Sequence, residues 1–393
     1  MLEAARSTSF DASRRRAEPA LVGFLRRLDW VLLGAAAALA GYGLWVVSGI
    51  TRFDVPGDES YYVVRQAFAA GVGAVGLVLA AAVPPSFVRR RWQLVYGATL
   101  ALMVVVFVAA EAVRGSKRWL DLGVIQFQPS ELGKVLFVLA IAGFLVGRSS
   151  RVTRWRTIGQ ALALGAAPVL LVFLQPDLGT ALVYAAALLA LLFFAGVRWR
   201  QLLVLLLAGA VAVLSVLWWL PAAGVQVLEP YQVDRFKGFL DRDLDPSGLT
   251  WNVNQSITAV GSGGLDGRGV VEASQTRLDY LPEHATDFAF ASLAEQRGFV
   301  GCTILLLLYL LVVWRGLRVV TVAGDLYGAV VAGALVFAFL FQVFVNVGMT
   351  MGLAPVTGIP LPFVTVGGSS LVANLVLVGV LQGIHARGAG RSP

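Results

Sequence analysis

Leu281-Pro282-Glu283-His284-Ala285-Thr286-Asp287 closes a long polar insert and opens onto an apolar run, so a carboxylate stands at the edge of a hydrophobic segment. Two readings of Asp287 are open. Following Thr286 at the start of a helix, its side chain satisfies free backbone amides as a cap. Alternatively it is a general base, kept ionised by the positive end of that helix. A second pair, Glu131 and Lys134, lies three residues apart and shares one helix face. Either the two neutralise each other, or Lys134, with Lys117 and Arg118 in the preceding loop, presents positive charge to an anionic substrate. A third stretch, Gly261-Ser262-Gly263-Gly264-Leu265-Asp266-Gly267-Arg268-Gly269, has the backbone freedom to cradle a phosphate through its amides. It reads equally as a connector, and no nucleotide-binding fingerprint fits here.

The elements that must position these residues are set by composition. Hydrophobic residues make up 58% of the 393 and charged residues 14%, against about 45–50% and 25% in a soluble domain. The chain therefore reads as an all-α polytopic membrane protein. Apolar windows of the length a membrane helix needs fall at 29–50, 62–83, 92–113, 131–147, 157–174, 178–195, 201–220, 288–314, 324–347 and 367–386, about ten spans. Arginines cluster in alternate connections, at Arg89 to Arg91, Arg148 to Arg156, Arg198 and Arg200, Arg315 and Arg318, and Arg387. By the positive-inside rule both termini are cytoplasmic, and the large loop 221–286 is extracytoplasmic. Residues 1–28, polar and rich in arginine, predict a disordered cytoplasmic tail, and 388–393 a second short one. The first apolar segment is too long for a signal-peptide core and reads as an uncleaved span.

The net charge of +8 is met by these span-end clusters, without the interleaved aromatics of a nucleic-acid site. Cys302 is the single cysteine, so no intrachain disulfide staples the outer loop, and no His or Cys cluster marks a metal site. Within the insert, Tyr231, Phe236, Phe239 and Leu240 suit one face of a short helix, with Asp234, Arg235, Lys237 and Asp241 on the other. That helix lies in the membrane interface or folds against the insert itself. Asp245-Pro246-Ser247-Gly248 is a turn. Residues 348–368 interleave Pro355, Pro360 and Pro362 with glycines and apolar residues and cannot form one helix. Such a segment is a surface loop, or it dips into the membrane and is buried in protein or lines a wet cavity. Arg65, Glu111, Glu295 and Arg297 are further ionisable residues at membrane depth, which usually face a cavity or a partner.

Several motifs occur together in order: Arg118-Trp119-Leu120-Asp121, Gln128-Pro129-Ser130-Glu131-Leu132-Gly133-Lys134, Gln175-Pro176-Asp177-Leu178-Gly179-Thr180, Pro230-Tyr231-Gln232, Gln255-Ser256 through Gly264, Leu281 to Phe288, and Pro360-Leu361-Pro362-Phe363 through Gly367-Gly368-Ser369-Ser370. From about Leu28 to Arg387 the chain resembles the SEDS (shape, elongation, division, sporulation) family. The run from Asn346 to Pro360 is more similar to its rod-shape, elongation-type members than to its division-type ones. The resemblance implies a ten-helix domain over 29–387 in the bacterial cytoplasmic membrane. It implies an inverting peptidoglycan glycosyltransferase that polymerises lipid II on the outer face during cell elongation. Asp287 is then the base, and Arg118, Trp119, Gln128, Ser130, Glu131, Lys134, Gln255, Ser256, Ser369 and Ser370 carry the substrate-binding motifs. The ligands implied are lipid II and the nascent glycan strand, with membrane lipid around them. The partners implied are a class B penicillin-binding protein transpeptidase, docked near spans eight and nine, and other elongation proteins. No organic cofactor is implied. A divalent cation, magnesium or manganese, would be held by substrate phosphates and a carboxylate or two.

Two positions depart from the family pattern. His284 precedes Ala285 where the family places its histidine, and Val366 stands where it has tyrosine before Gly367-Gly368-Ser369-Ser370. A flippase for lipid-linked oligosaccharides would also carry charged bundle residues and a broken outer segment. Its inverted repeat is absent from the hydropathy, however, and the polar residues sit on the outer side rather than at the midplane. A non-catalytic scaffold predicts that Asp287→Asn keeps function in cells.

Overall fold

Ten apolar helices occupy the ten predicted positions: Trp30–Ile50, Tyr61–Ala82, Trp92–Ala109, Pro129–Val146, Trp155–Phe173, Leu178–Phe194, Trp199–Leu214 continuing through a π-turn to Ala222, Ala289–Val322, Leu326–Thr350 and Gly368–Gly388. The computed structural model describes residues 20–109, 118–121, 123, 126–225, 227–228, 230–240 and 249–391. Residues 1–19 of the predicted tail, Glu111, Lys117, Asp241 and the turn 245–248 lie outside the described residues, while Ala20–Arg26 of that tail, expected to be disordered, forms a short helix. Nine of the ten helices are long and apolar enough to cross a membrane. The tenth, Leu178–Phe194, has 17 residues and is largely enclosed by its neighbours. At 1.5 Å per residue it is about 25 Å long, and it lies in the interior of the bundle. Among the described residues the only strands are Leu120–Asp121 and Gln126–Phe127, an antiparallel pair with Leu120 opposite Phe127.

Helices that are apolar all round divide by where they find apolar neighbours, protein or lipid. Pro129–Val146, Leu326–Thr350 and Gly368–Gly388 form the centre of the bundle, whereas Trp199–Ala222 buries almost none of its surface. Large side chains such as Tyr184, Tyr327, Phe137, Phe339 and Phe363 fill the interior. Tyr184 and Tyr327 place their hydroxyls on the Ser130 and Leu139 carbonyls, at 2.8 and 3.0 Å.

One end of the bundle is tied by an ion pair that sequence patterning did not single out. Asp29, 2% exposed, accepts from Arg315 Nε and Nη2 at 2.9 and 2.7 Å and also from the Leu32 amide at 3.0 Å. Gln382 exchanges two hydrogen bonds with the Asp29 backbone. Spans one, eight and ten are thus joined at one point. Asp29→Ala would leave a buried guanidinium unpaired, and its expected cost is about 3–5 kcal/mol. Thermal unfolding in detergent checks this: the single variant should melt far below wild type, and adding Arg315→Leu should recover much of the loss.

The eighth span differs from its prediction. Helix Ala289–Val322 is broken at Gly298, whose φ of 63° and ψ of −162° suit glycine alone. The continuous helix therefore starts at Phe299, eleven residues after the start that hydropathy indicates, and 289–297 forms a separate buried segment. The glycine-rich stretch docks on this break. Gly264 and Leu265 carbonyls accept from the Phe299 and Val300 amides at 2.9 and 3.1 Å, and Arg268 N donates to Glu295 O at 2.8 Å. Its carbonyls cap the new helix start, so it acts as a structural lock, and the phosphate-cradle reading is corrected on that ground. A Cβ at Gly298 would lie 2.4 Å from both Gly267 N and Leu265 O. Gly298→Ala is expected to cost about 3 kcal/mol or more, seen as a lower melting temperature or loss of folded protein.

Glu295 and Arg297, read as depth charges in one span, belong to this extra segment. The Glu295 carboxylate accepts from the Gln275 and Thr276 amides and the Thr276 hydroxyl at 2.7–2.9 Å. Arg297 stacks over the Trp45 ring at 4.2 Å. Both are satisfied by the fold.

Candidate active site

Four stretches of chain meet at the end of the bundle opposite Asp29: the turn before Ala289, helix Pro230–Leu240, the loop 175–177 and the segment 351–367. The last is the predicted broken segment; from Thr357 onward it is largely buried in protein, whereas Met351 and Leu353 are exposed. Ile359, Leu361, Phe363 and Val364 are each at most 2% exposed. Asn346 Nδ2 donates to Ile359 O at 2.8 Å and to Asp287 O at 3.1 Å. Thr365 Oγ1 donates to Thr286 O at 3.0 Å, and Val366 N to Ala285 O at 2.9 Å. A segment that cannot hydrogen-bond to itself as a helix thus spends its polar groups on the back of the Asp287 turn.

The turn itself is unusual in its backbone. Asp279 and Glu283 both have φ of 56°, a left-handed conformation that costs side-chain-bearing residues energy. Glu283 O accepts from the Thr286 and Phe288 amides at 3.1 Å, while Thr286 Oγ1 donates to Glu283 Oε2 at 2.7 Å. Phe288, rather than Asp287, is the residue preceding the helix, and no side chain caps it. The capping reading of Asp287 therefore gives way: its carboxylate faces a cleft.

That cleft is walled by Arg235 and Phe239 of helix Pro230–Leu240, Asn252 of helix Leu249–Ser262, Glu283, and Ala354 to Val356. An adjoining cleft lies between Arg118, Leu178, Gln232, Phe236 and Thr357. Arg235 and Val356 line both, so the two form one groove with Asp287 at one end and Arg118 at the other. Arg118 is fixed by backbone carbonyls, with Nε on Gln175 O at 2.9 Å and Nη2 on Pro176 O. Gly358 adopts φ of 72°, and a Cβ there would lie 3.7 Å from both Arg235 Nη1 and Asp287 Oδ2.

Burial pushes the Asp287 carboxyl up from 3.8 to about 6; Arg235 and Arg118 hold it down, and Glu283 and Asp177 push it further up. Protein surrounds the group, yet by surface area Asp287 is only half-buried and stays open towards the cleft. A carboxylate poised near 6 beside two guanidiniums can take a proton from a hydroxyl while an anion is stabilised nearby.

A sequence profile for cell cycle proteins of the FtsW/RodA/SpoVE type matches residues 26–389. The chain belongs to this family. It is 37% identical over 357 residues to peptidoglycan glycosyltransferase MrdB of Escherichia coli K12, covering 91% of this chain and 94% of that one. It is 35% identical to stage V sporulation protein E of Bacillus subtilis, covering 85% and 88%. A chain from a peptidoglycan synthase complex that coordinates polymerization and crosslinking superposes with a TM-score of 0.78 at 32% identity, covering 93% of this chain and 99% of that one. The rod shape determining protein RodA of Thermus thermophilus superposes with a TM-score of 0.66 at 29% identity, covering 91% and 96%.

Of the base and substrate-binding residues that the resemblance implies, Asp287 and Arg118 reach the groove. Gln128 ties the scaffold instead: its Nε2 donates to Asp177 Oδ2 at 2.9 Å and its amide to Ser369 Oγ at 2.8 Å. Ser369 in turn holds Gln126 O, Ser370 is held by Asn374, and Ser256 donates to Thr350 O. Lys134 and Glu131 form a buried ion pair at 2.9 Å, which is the neutralising arrangement. The remaining Glu131 oxygen and Ser130 Oγ are buried without a hydrogen-bond partner. Trp119 and Gln255 are half-buried and line neither cleft. Arg65 donates to Gly123 O at 2.9 Å, pinning the hairpin that follows Arg118.

Arg235, Glu283, Asn346 and Gly358 enter the site without having been singled out for it. Arg235 was assigned to the polar face of its helix, away from Phe236 and Phe239. It lines the cleft together with them. The available signal was its i,i+3 spacing from Gln232, which is 4% exposed.

Proposed function

We propose that this protein is a peptidoglycan glycosyltransferase that polymerises lipid II into β-1,4-linked glycan during cell elongation. The observation that carries this is the single groove joining Asp287, with its raised proton affinity, to Arg235 and Arg118. The names of its relatives support the substrate class, and the match to MrdB and RodA supports the rod-shape branch.

In this reading Asp287 removes the proton from the 4-hydroxyl of the acceptor GlcNAc as that oxygen attacks the anomeric carbon of a MurNAc. The bond to undecaprenyl diphosphate breaks from the opposite face, which inverts the α-configuration in one displacement. The departing diphosphate gains charge where Arg118 and Arg235 provide fixed, partly desolvated donors. Binding both lipid-linked sugars in one groove supplies orientation. A magnesium or manganese ion, if used, would be held by the substrate's phosphates with a carboxylate or two, and Asp287 and Glu283 line the same cleft.

The arginine clusters support cytoplasmic termini and a groove on the outer face of the bacterial cytoplasmic membrane. The similarity to a synthase-complex chain supports a crosslinking partner, a class B penicillin-binding protein docked near spans eight and nine. Retained co-purification after disruptive substitutions on those helices would count against that docking site. The function is tested by giving purified lipid II to the solubilised protein, with and without the partner, and resolving the products on a gel. Glycan ladders are the expected product; unreacted lipid II under every condition would contradict the assignment.

A further inference from the structure

His284 is clamped in a way the reaction above does not use. Its Nε2 lies 3.0 Å from Asp54 Oδ1 and its Nδ1 3.4 Å from Asp279 Oδ1. Asp54 belongs to the loop 51–60 between the first two spans, so the contact ties that loop to the Asp287 turn across 230 residues of sequence. The imidazole is 11% exposed and the Asp54 side chain 20%, whereas the Asp279 side chain is 80% exposed and, among the described residues, approaches Nδ1 as an ion-pair partner without a hydrogen bond. The backbone is held as well, with Ser292 Oγ donating to His284 O at 3.1 Å. Before it in the chain stand the left-handed residues Asp279 and Glu283, each costing about 1–3 kcal/mol unless its surroundings over-determine it. A turn strained at two places keeps its shape only where something outside it grips, and Asp287 follows three residues later.

We propose that His284, gripped as an imidazolium between Asp54 and Asp279, is a positioning residue that seats the Asp287 turn. This rests on Asp287 being the base. The charged ring has an N–H for each carboxylate. The neutral ring has one, and leaves its other nitrogen facing a carboxylate without a proton. The groups around the clamp are Asp54 and Asp279 in contact, Glu283 on the same turn, Tyr62 near Asp54, and Arg277 over the Phe53 ring beside Asp54. Burial works to lower the proton affinity of His284, but Asp54 and Asp279 outweigh it and leave it above 6.5. The clamp is complete on the acid side of that transition and weakens as pH rises through it. Asp287 must lose its proton and His284 must keep one, so the rate passes through a maximum.

The test uses the full chain with its partner and lipid II, comparing His284→Gln, Asp54→Asn, the double variant and His284→Lys for kcat, KM, pH profile and melting temperature. The expected result is a kcat about 10–100-fold lower for His284→Gln and Asp54→Asn at little-changed KM. The double variant should be no worse than either single, and the alkaline limb should vanish while the acid limb remains. His284→Lys keeps the positive charge, so it should recover most of the rate and move the alkaline limb upward; this arm stands if His284→Gln does not fold. An unchanged kcat, additive losses, or an alkaline limb indifferent to residue 284 would overturn the proposal. Asp287→Asn distinguishes the two levels: a fully active Asp287→Asn defeats the base assignment itself, whereas an inactive one beside a fully active His284→Gln defeats only the clamp.

Discussion

Asp287→Asn should lower the rate of glycan polymerisation by about 10²–10⁴, the usual worth of a general base, while raising the melting temperature. The second half separates this account from simple damage to the fold. In the folded protein the carboxyl titrates at about 6, above its ordinary value of 3.8. A group whose affinity for its proton rises on folding contributes stability that is full below the unfolded value and lost as pH rises through the folded one. At neutral pH the ionised Asp287 is therefore a liability of order 1–3 kcal/mol, which the amide removes. Gel assay of lipid II products and thermal unfolding of the same preparation check both halves. Lost activity with a lower melting temperature would point to misfolding instead.

Arg235→Ala should be the next most damaging change at the site, lowering the rate by about 10²–10³, as removal of one preorganised donor to developing negative charge commonly does. Its second effect has a definite sign. Arg235 holds the Asp287 proton affinity down, so without it the carboxyl titrates higher and the acid limb of the rate profile moves to higher pH. Arg235→Lys keeps the charge but not the planar fork, so its acid limb should stay near wild type while the rate remains reduced. Rates of the two variants measured across pH test this, and a Lys variant as weak as Ala with the same displaced limb would contradict it.

The spans were legible because each needs about 20 apolar residues, a signal that survives without any tertiary information. The one misplaced boundary shows the limit of that signal. Hydropathy runs unbroken through 288–314, and the stop at Gly298 is a backbone event visible only once the 264–265 carbonyls are seen capping Phe299 and Val300. The segment 351–367 was legible as irregular, since prolines among apolar residues rule out a helix. Its role behind Asp287 depends on Asn346 and Thr365, which nothing local marks. Asp287 and Arg118 stand at the edges of apolar runs, which marks them as candidates, and the family motifs single them out from the other readings. Arg235 could not, because which face of a short amphipathic helix turns inward is decided by what it packs against. The same holds for Asp29 with Arg315, joined across 286 residues of sequence.

The measurement that tests the central claim most directly is the initial rate of lipid II polymerisation from about pH 5 to about 8, for wild type and Asp287→Asn at equal amounts of folded protein. The wild-type rate should fall about tenfold per unit below a pH near 6, and the variant should run about 10²–10⁴ lower without that acid limb. A variant rate within a few-fold of wild type at neutral pH, or the same acid limb in both proteins, would contradict it.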